Sequence, residues 1–297
     1  MAACSVAVHP SVRQTPSIST KHLTKALKRF RLHLLADVGL KPSTTDNYRR
    51  MLSKLLRDLG SAAPGHDALR EYVAAMREAG YSHSYVSNVC LVIEAYTAHQ
   101  GRCLCLGRGK KPLPAPKEPL SEGEVAVIMA ACRDPRERAV ISLLAYSGMR
   151  NEELCRLRPA DILMDTRQVR IRQGKGGSGR LARISGKCCT DAAVYLSEHP
   201  RGAQDWLFTS LRRGRQFEGA TVRRLVRRVV ARTMIQKPVH PHLFRHSLAC
   251  NMLSRGANLF AIRDQLGHAD IQTTMIYLRS ANSRAAAQYE MYCPSYS

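Results

Sequence analysis

Residues 107–120 read GRGKKPLPAPKEPL, and no other stretch limits so strongly what this chain can fold into. Proline fixes its own φ, lacks an amide hydrogen and pushes the residue before it out of the helical region. Four prolines in this basic run therefore forbid helix and central strand alike, and the segment must run extended. The chain is split into halves that each need a core of their own. An apolar fraction of 44% over 297 residues is enough for both. The division predicted is a flexible lead-in at 1–19, a helical domain at 20–104, a linker at 105–118, and a second domain at 119–297 that ends in a tail helix.

The hydrophobic period assigns the elements. Before the linker, helices are predicted over 20–38, 43–59, 66–79 and 82–100. In STTDNYRRMLSKLLRDLG, Tyr48, Met51, Leu52, Leu55 and Leu56 recur at helical spacing. Ser43 or Thr44 can cap that helix and Gly60 can end it. After the linker, Ser121 and Glu124 stand in capping-box register. Further helices follow over 134–147, in RNEELCRLRPADI, and over 190–198, 219–233, 242–255, 258–266 and 271–280. Between them, RQVRIRQGKGGSGRLARIS alternates with period two around a glycine-rich turn, which predicts a β-hairpin. The fold class expected is mainly α with a small antiparallel β-sheet.

The charge is unusual. Forty-six Lys plus Arg against 23 Asp plus Glu leave a net +23, an excess that favours a polyanionic partner, most often nucleic acid. No apolar run reaches the length of a membrane span, and the first residues lack a basic start followed by an apolar core. The expectation is a cytoplasmic protein without membrane contact. Ten cysteines are scattered through helical patterns with no CxxC pair, which reads as reduced thiols.

Polar residues stand where helices need none. In HPHLFRHSLA, residues 240–249, His242, Arg245 and His246 share a helix face by their spacing of three and four. Leu243, Phe244, Leu248 and Ala249 supply the apolar side. Alone, the cluster reads as a solvated face, as a zinc site built from His240, His242, His246 and His268, or as an anion grip. Arg150 in YSGMRNEEL, Lys175 in GKGGSG, and His268 with Tyr277 in LGHADIQTTMIYLR each have an ordinary reading too. Together they suit one chemistry. Guanidinium forks match phosphate oxygens, histidines donate or move protons, and a hairpin lysine can reach into a site. A tyrosine hydroxyl becomes a useful nucleophile where cations stabilise its phenolate. Carboxylates are scarce in these segments, which disfavours a magnesium nuclease.

At these residues the chain resembles the tyrosine recombinase (phage integrase, Xer-like) family. The ordered set Arg150, Lys175, His242-x-x-Arg245, His268 and Tyr277 carries the resemblance, which covers about 115–290 by motif. Residues 20–100 match by class, as the helical core-binding domain that precedes an α/β catalytic domain in this two-domain architecture. Ser147, Phe244 and Ser247 depart mildly, standing where the family often has threonine, leucine and threonine.

The resemblance implies a site-specific DNA recombinase working through a 3′-phosphotyrosyl intermediate on Tyr277, in integration, excision or resolution of DNA such as a mobile genetic element. Arg150 and Arg245 would clamp the phosphate and Lys175 would protonate the leaving 5′-oxygen, with Arg180 and Arg183 nearby as alternatives. His242 would assist proton transfer and His268 would hydrogen-bond the phosphate, with Glu153 and His246 in support. No metal and no other cofactor is implied. The partners implied are double-stranded DNA with a specific core site and sister protomers. Those protomers form a synaptic tetramer on two sites, with exchange of C-terminal helices such as SRAAAQYEMY. Accessory or directionality proteins complete the set, at the nucleoid. The short lead-in leaves little room for an arm-binding domain. Two alternatives share these features: a type IB topoisomerase-like relaxing enzyme and a catalytically silent DNA-binding protein.

Overall fold

The computed structural model describes residues 18–110, 118–172, 179–210 and 214–267. The chain divides into two compact units, Met1–Pro114 and Ala115–Ser297. Each has its own apolar core.

The first unit contains α1 (Thr20–Ala36), α2 (Pro42–Asp58), α3 (His66–Glu78) and α4 (His83–His99). Helix α4 is apolar on several sides, burying Val86, Val89, Cys90, Val92, Ile93 and Tyr96, so it forms the centre on which the other three pack. Phe30 of α1 meets Tyr96 edge-on, with ring centroids 5.3 Å apart. Helix α2 starts earlier than Ser43 or Thr44 would place it. Lys41 is its N-cap and Pro42 its first residue, where a missing amide hydrogen costs nothing. Gly60 follows its end with φ +63°, as a helix stop should. Past α4 the chain runs back extended over the core. Leu104 and Leu106 turn inward while Cys103 and Cys105 stay exposed.

The second unit is built around α6 (Pro135–Ser147), which follows α5 (Glu122–Ala130). The predicted capping box opens α5: Ser121 Oγ accepts from the Glu124 amide at 3.2 Å, and the Ser121 amide donates to the Glu124 carboxylate at 2.8 Å. Helix α6 buries residues on all its faces, among them Val140, Ile141, Leu143 and Leu144, and is therefore the spine of this unit. A short α7 (Asn151–Cys155) and one 3₁₀ turn lead into an antiparallel sheet of β1 (Ile162–Leu163), β2 (Gln168–Ile171) and β3 (Arg180–Arg183). Val169 pairs with Ala182 and both are buried, while Arg170 and Leu181 are paired facing out. The two-residue β1 has no counterpart in the sequence reading. Then come α8 (Gly186–Glu198), α9 (Gly219–Val230), α10 (Pro241–Ser254) and α11 (Leu259–Leu266). Helices α8 and α10 pack on α6, and β3 touches both α6 and α11.

The chain is thus mainly α with a small antiparallel sheet, as its periodicities require. The predicted lead-in, the glycine-rich hairpin turn, the helix at 271–280 and the tail helix lie essentially outside the described residues. No described helix is long and apolar enough to cross a membrane. The described cysteines are free, and burial pushes the Cys188 thiol up to about 12 and the Cys155 thiol up to about 11.

Candidate active site

The site begins where α6 ends. Ser147 closes the helix by donating from Oγ to the Leu143 carbonyl at 2.6 Å, and it accepts from the Met149 amide at 3.1 Å. Gly148 then takes the left-handed conformation at φ +61°. A side chain there would be strained, and it would also sit 2.6 Å from Leu266 Cδ2 and 2.9 Å from Leu248 Cδ2. This tight exit delivers Arg150 to the N-cap of α7. Its amide donates to Glu153 Oε2 at 2.8 Å and its Nη1 to Glu153 Oε1 at 2.7 Å.

Glu153 is gripped from a second direction. Arg180 of β3 places Nη1 at 3.0 Å from Oε1 and Nη2 at 2.9 Å from Oε2. The carboxylate therefore accepts four hydrogen bonds, which fills its capacity, and it cannot serve as a base. Burial opposes its charge, but the Arg180 guanidinium and the Arg150 amide and side chain prevail and hold the carboxyl at about 2.

Arg245 comes from α10, whose N-cap is His240, its Nδ1 accepting from the Leu243 amide at 3.1 Å. The Arg245 side chain runs inward and is buried. Nη1 donates to the Gly148 carbonyl and Nη2 to the Leu266 carbonyl, both at 2.7 Å. These are the C-terminal ends of α6 and α11, where helix dipoles favour a cation. These carbonyls orient the fork, and one of them, that of Gly148, stands two residues from Arg150.

His242 and His246 belong to the same helix, the first exposed and the second partly buried with Nε2 3.7 Å from Cys250 Sγ. His242, Arg245 and His246 keep their i, i+3 and i+4 spacing on this helix, with Arg245 the most deeply buried of the three. No group of three or more His, Cys, Asp or Glu side chains is poised for a metal among the described residues. Ser247, the third departure, accepts from the Leu120 amide at 2.7 Å and donates to the Leu243 carbonyl at 2.7 Å. Lys175, His268 and Tyr277 lie outside the described residues.

Three residues of this corner escaped the sequence reading in the parts they play. Arg180 is a buried partner of Glu153 here, with its guanidinium turned to that carboxylate. Gly267 caps α11 at φ +64°, and an added Cβ would lie 2.3 Å from Arg180 Cδ. Gln265 ties β3 to the end of α6, accepting from the Arg183 amide at 2.9 Å and donating to the Arg183, Tyr146 and Ser147 carbonyls. Only the glycine before His268 left a local signal.

Comparison with known proteins agrees with this fold. The phage integrase family model matches residues 118–284. The chain is 31% identical over 258 residues to tyrosine recombinase XerA of Pyrococcus horikoshii, spanning 85% of this chain and 88% of that protein. It is 28% identical over 287 residues to tyrosine recombinase XerC of Xanthomonas campestris pv. campestris, spanning 91% and 88%. Among solved structures it resembles XerA recombinase with a TM-score of 0.54 at 26% identity, covering 92% of this chain and all of that one. A lambda integrase dimer bound to a COC′ core site shares the fold, with a TM-score of 0.66 at 17% identity over 84% of this chain and 96% of that one. The chain belongs to the phage integrase family, the tyrosine-type site-specific DNA recombinases.

Proposed function

We propose that this recombinase cleaves and rejoins double-stranded DNA at a specific core site through a 3′-phosphotyrosyl intermediate on Tyr277. The Tyr277 oxygen attacks the scissile phosphorus, the bond to the 5′-oxygen breaks, and Lys175 supplies the proton that the leaving oxygen takes. A 5′-hydroxyl from the partner duplex then attacks the phosphotyrosine and frees the tyrosine. The bond energy stays in the linkage, so the cycle needs neither ATP nor a metal ion. His242 assists proton transfer at Tyr277, His268 hydrogen-bonds the phosphate, and His246 supports the Arg245 side of the site.

One observation carries the reading. Arg150 and Arg245 reach the same helix end from different elements, each held in place by the protein, one by Glu153 and one by the carbonyls of Gly148 and Leu266. Preorganised guanidinium groups of this kind stabilise the charge that builds on a phosphate during displacement. Glu153, saturated with hydrogen bonds, orients Arg150 and takes no proton.

Assembly follows the same reading: four protomers synapse two core sites, with accessory or directionality proteins acting on them at the nucleoid. A groove of about 510 Å³ between α5, α6 and α10, lined by Val125, Met129, Ala145, Phe244 and Leu248, suits the apolar side of a neighbour's C-terminal segment. The domains divide the work, residues 20–104 holding the core site and residues 119–297 carrying the chemistry.

The test uses a nicked suicide duplex carrying a core site that the protein binds, in EDTA, read on a denaturing gel. Wild type is expected to give a covalent protein–DNA band and Tyr277→Phe none. A bound but uncleaved duplex with wild type would leave a silent DNA-binding protein, and an unchanged band in Tyr277→Phe would move the nucleophile elsewhere.

A further inference from the structure

Arg180 holds together three parts of the site that are far apart in the sequence. It belongs to β3, the strand that leaves the hairpin carrying Lys175. Both its Nη atoms bond the Glu153 carboxylate, which in turn holds the Arg150 amide and guanidinium. Its aliphatic stem lies against Gly267, the residue before His268, so closely that no side chain fits between them. Its side chain is only 11% exposed, and its Nε is buried without a partner among the described residues. A buried donor left unsatisfied is costly to the fold. A guanidinium needed only to neutralise a carboxylate would do so more cheaply nearer the surface.

This geometry excludes one use and suggests another. A proton donor for the leaving oxygen must face the scissile phosphate, whereas the Arg180 donors face Glu153. A rigid two-point bridge from β3 to Glu153 instead makes the direction of Arg150 depend on how the strand is seated. Gln265 reinforces the link, binding the Arg183 backbone on one side and the Tyr146 and Ser147 carbonyls on the other. The strand, the end of α6 and the end of α11 are therefore tied together by hydrogen bonds.

We propose that Arg180 is a positioning residue for the recombination reaction, tying the seating of β3 and of the α11 end at Gly267 to the direction of the Arg150 phosphate clamp through Glu153. The inference rests on the phosphotyrosyl reading above and adds a residue to it. Without the Arg180 fork, Glu153 is held from one side only and Arg150 loses its bearing on the phosphate. Misplacing a reacting group by about 1 Å costs on the order of 100-fold in rate.

The experiment compares wild type, Arg180→Lys, Arg180→Ala and Lys175→Ala in single-turnover cleavage of two suicide duplexes. One has an ordinary scissile phosphate and the other a sulfur in place of the bridging 5′-oxygen, whose thiolate leaves without an acid. Thermal unfolding and core-site binding are measured on the same proteins. Arg180→Lys keeps the charge but not the fork, and is expected to bind and unfold like wild type while cleaving on the order of 10–100-fold more slowly on both duplexes. Lys175→Ala is expected to recover on the sulfur duplex. Recovery of the Arg180 variants on sulfur would make Arg180 an acid and overturn the proposal. Wild-type cleavage by Arg180→Lys and Arg180→Ala would remove any role, and joint loss of folding and binding in both would reduce Arg180 to a structural ion pair. Cleavage by wild type itself is the control for the underlying reading, so the two can fail separately.

Discussion

At the scale of single residues, Glu153 illustrates how one carboxylate can be spent entirely on geometry. Its ordinary value of 4.5 falls to about 2 in the folded protein because Arg180 and Arg150 outweigh the cost of burial. A carboxyl depressed on folding stabilises the native state fully above its unfolded value and loses that contribution as the pH falls towards the folded one. For Glu153 the window runs from pH 4.5 down to about 2, and the whole contribution is about 3 kcal/mol. Denaturant unfolding at about pH 6 and pH 3 reads most of this window. Glu153→Gln is expected to narrow the difference between the two pH values by about 2 kcal/mol relative to wild type. Glu137, buried yet held below its usual range by Arg232, titrates in both proteins and cancels. An equal pH dependence in the variant would mean that the Arg180 bridge is open in solution.

At the scale of elements, the site depends on where α6 stops. Gly148 and Gly80 are both left-handed glycines, at φ +61° and +74°, so alanine at either costs the same backbone strain of about 1 kcal/mol. Only Gly148 has leucine methyl carbons within 3 Å of the added atom, which brings a further 1–3 kcal/mol or so of overpacking. Gly80→Ala is therefore expected to lose about 1 kcal/mol and Gly148→Ala about 2–4 kcal/mol in urea unfolding. Gly148→Ala should also slow cleavage, because the carbonyl that orients Arg245 moves with it. The glycine was legible in SGMR as a helix stop, and so were most elements, because apolar period, caps and stops are local signals. The α2 start was misread where Pro42 needs no side-chain cap, and β1 is too short to carry a period. Arg150, Glu153 and Arg245 could be picked out as a motif. The bond from Arg180 to Glu153 spans 27 residues and that from Gln265 to Arg183 spans 82, and no local pattern encodes contacts made only when α6, β3 and α11 meet.

At the scale of the whole molecule, the net +23 has to be divided between charges that serve the fold and charges left for a partner. Arg180 answers Glu153, Arg228 and Arg232 answer Glu137, and Arg172 answers Asp161, so these arginines are paired within the fold, while Arg150 shares Glu153 with Arg180 and is kept for the phosphate. Pairing consumes cations and anions together and leaves the excess itself untouched. That excess must meet phosphate if the protein acts on DNA, releasing one condensed counterion for nearly every contact. Affinity for a core-site duplex is expected to fall about 10³–10⁵-fold between about 50 mM and 200 mM salt. A random duplex of the same length should show nearly the same slope, because phosphate contacts position the protein while base contacts choose the site. Titration by fluorescence anisotropy on both duplexes reads the two slopes directly. Parallel steep lines with a constant offset would assign affinity to the surplus charge and specificity to a separate set of uncharged contacts. A shallow slope on both would mean that the excess lies away from the duplex, and the basic composition would then need another polyanion to explain it.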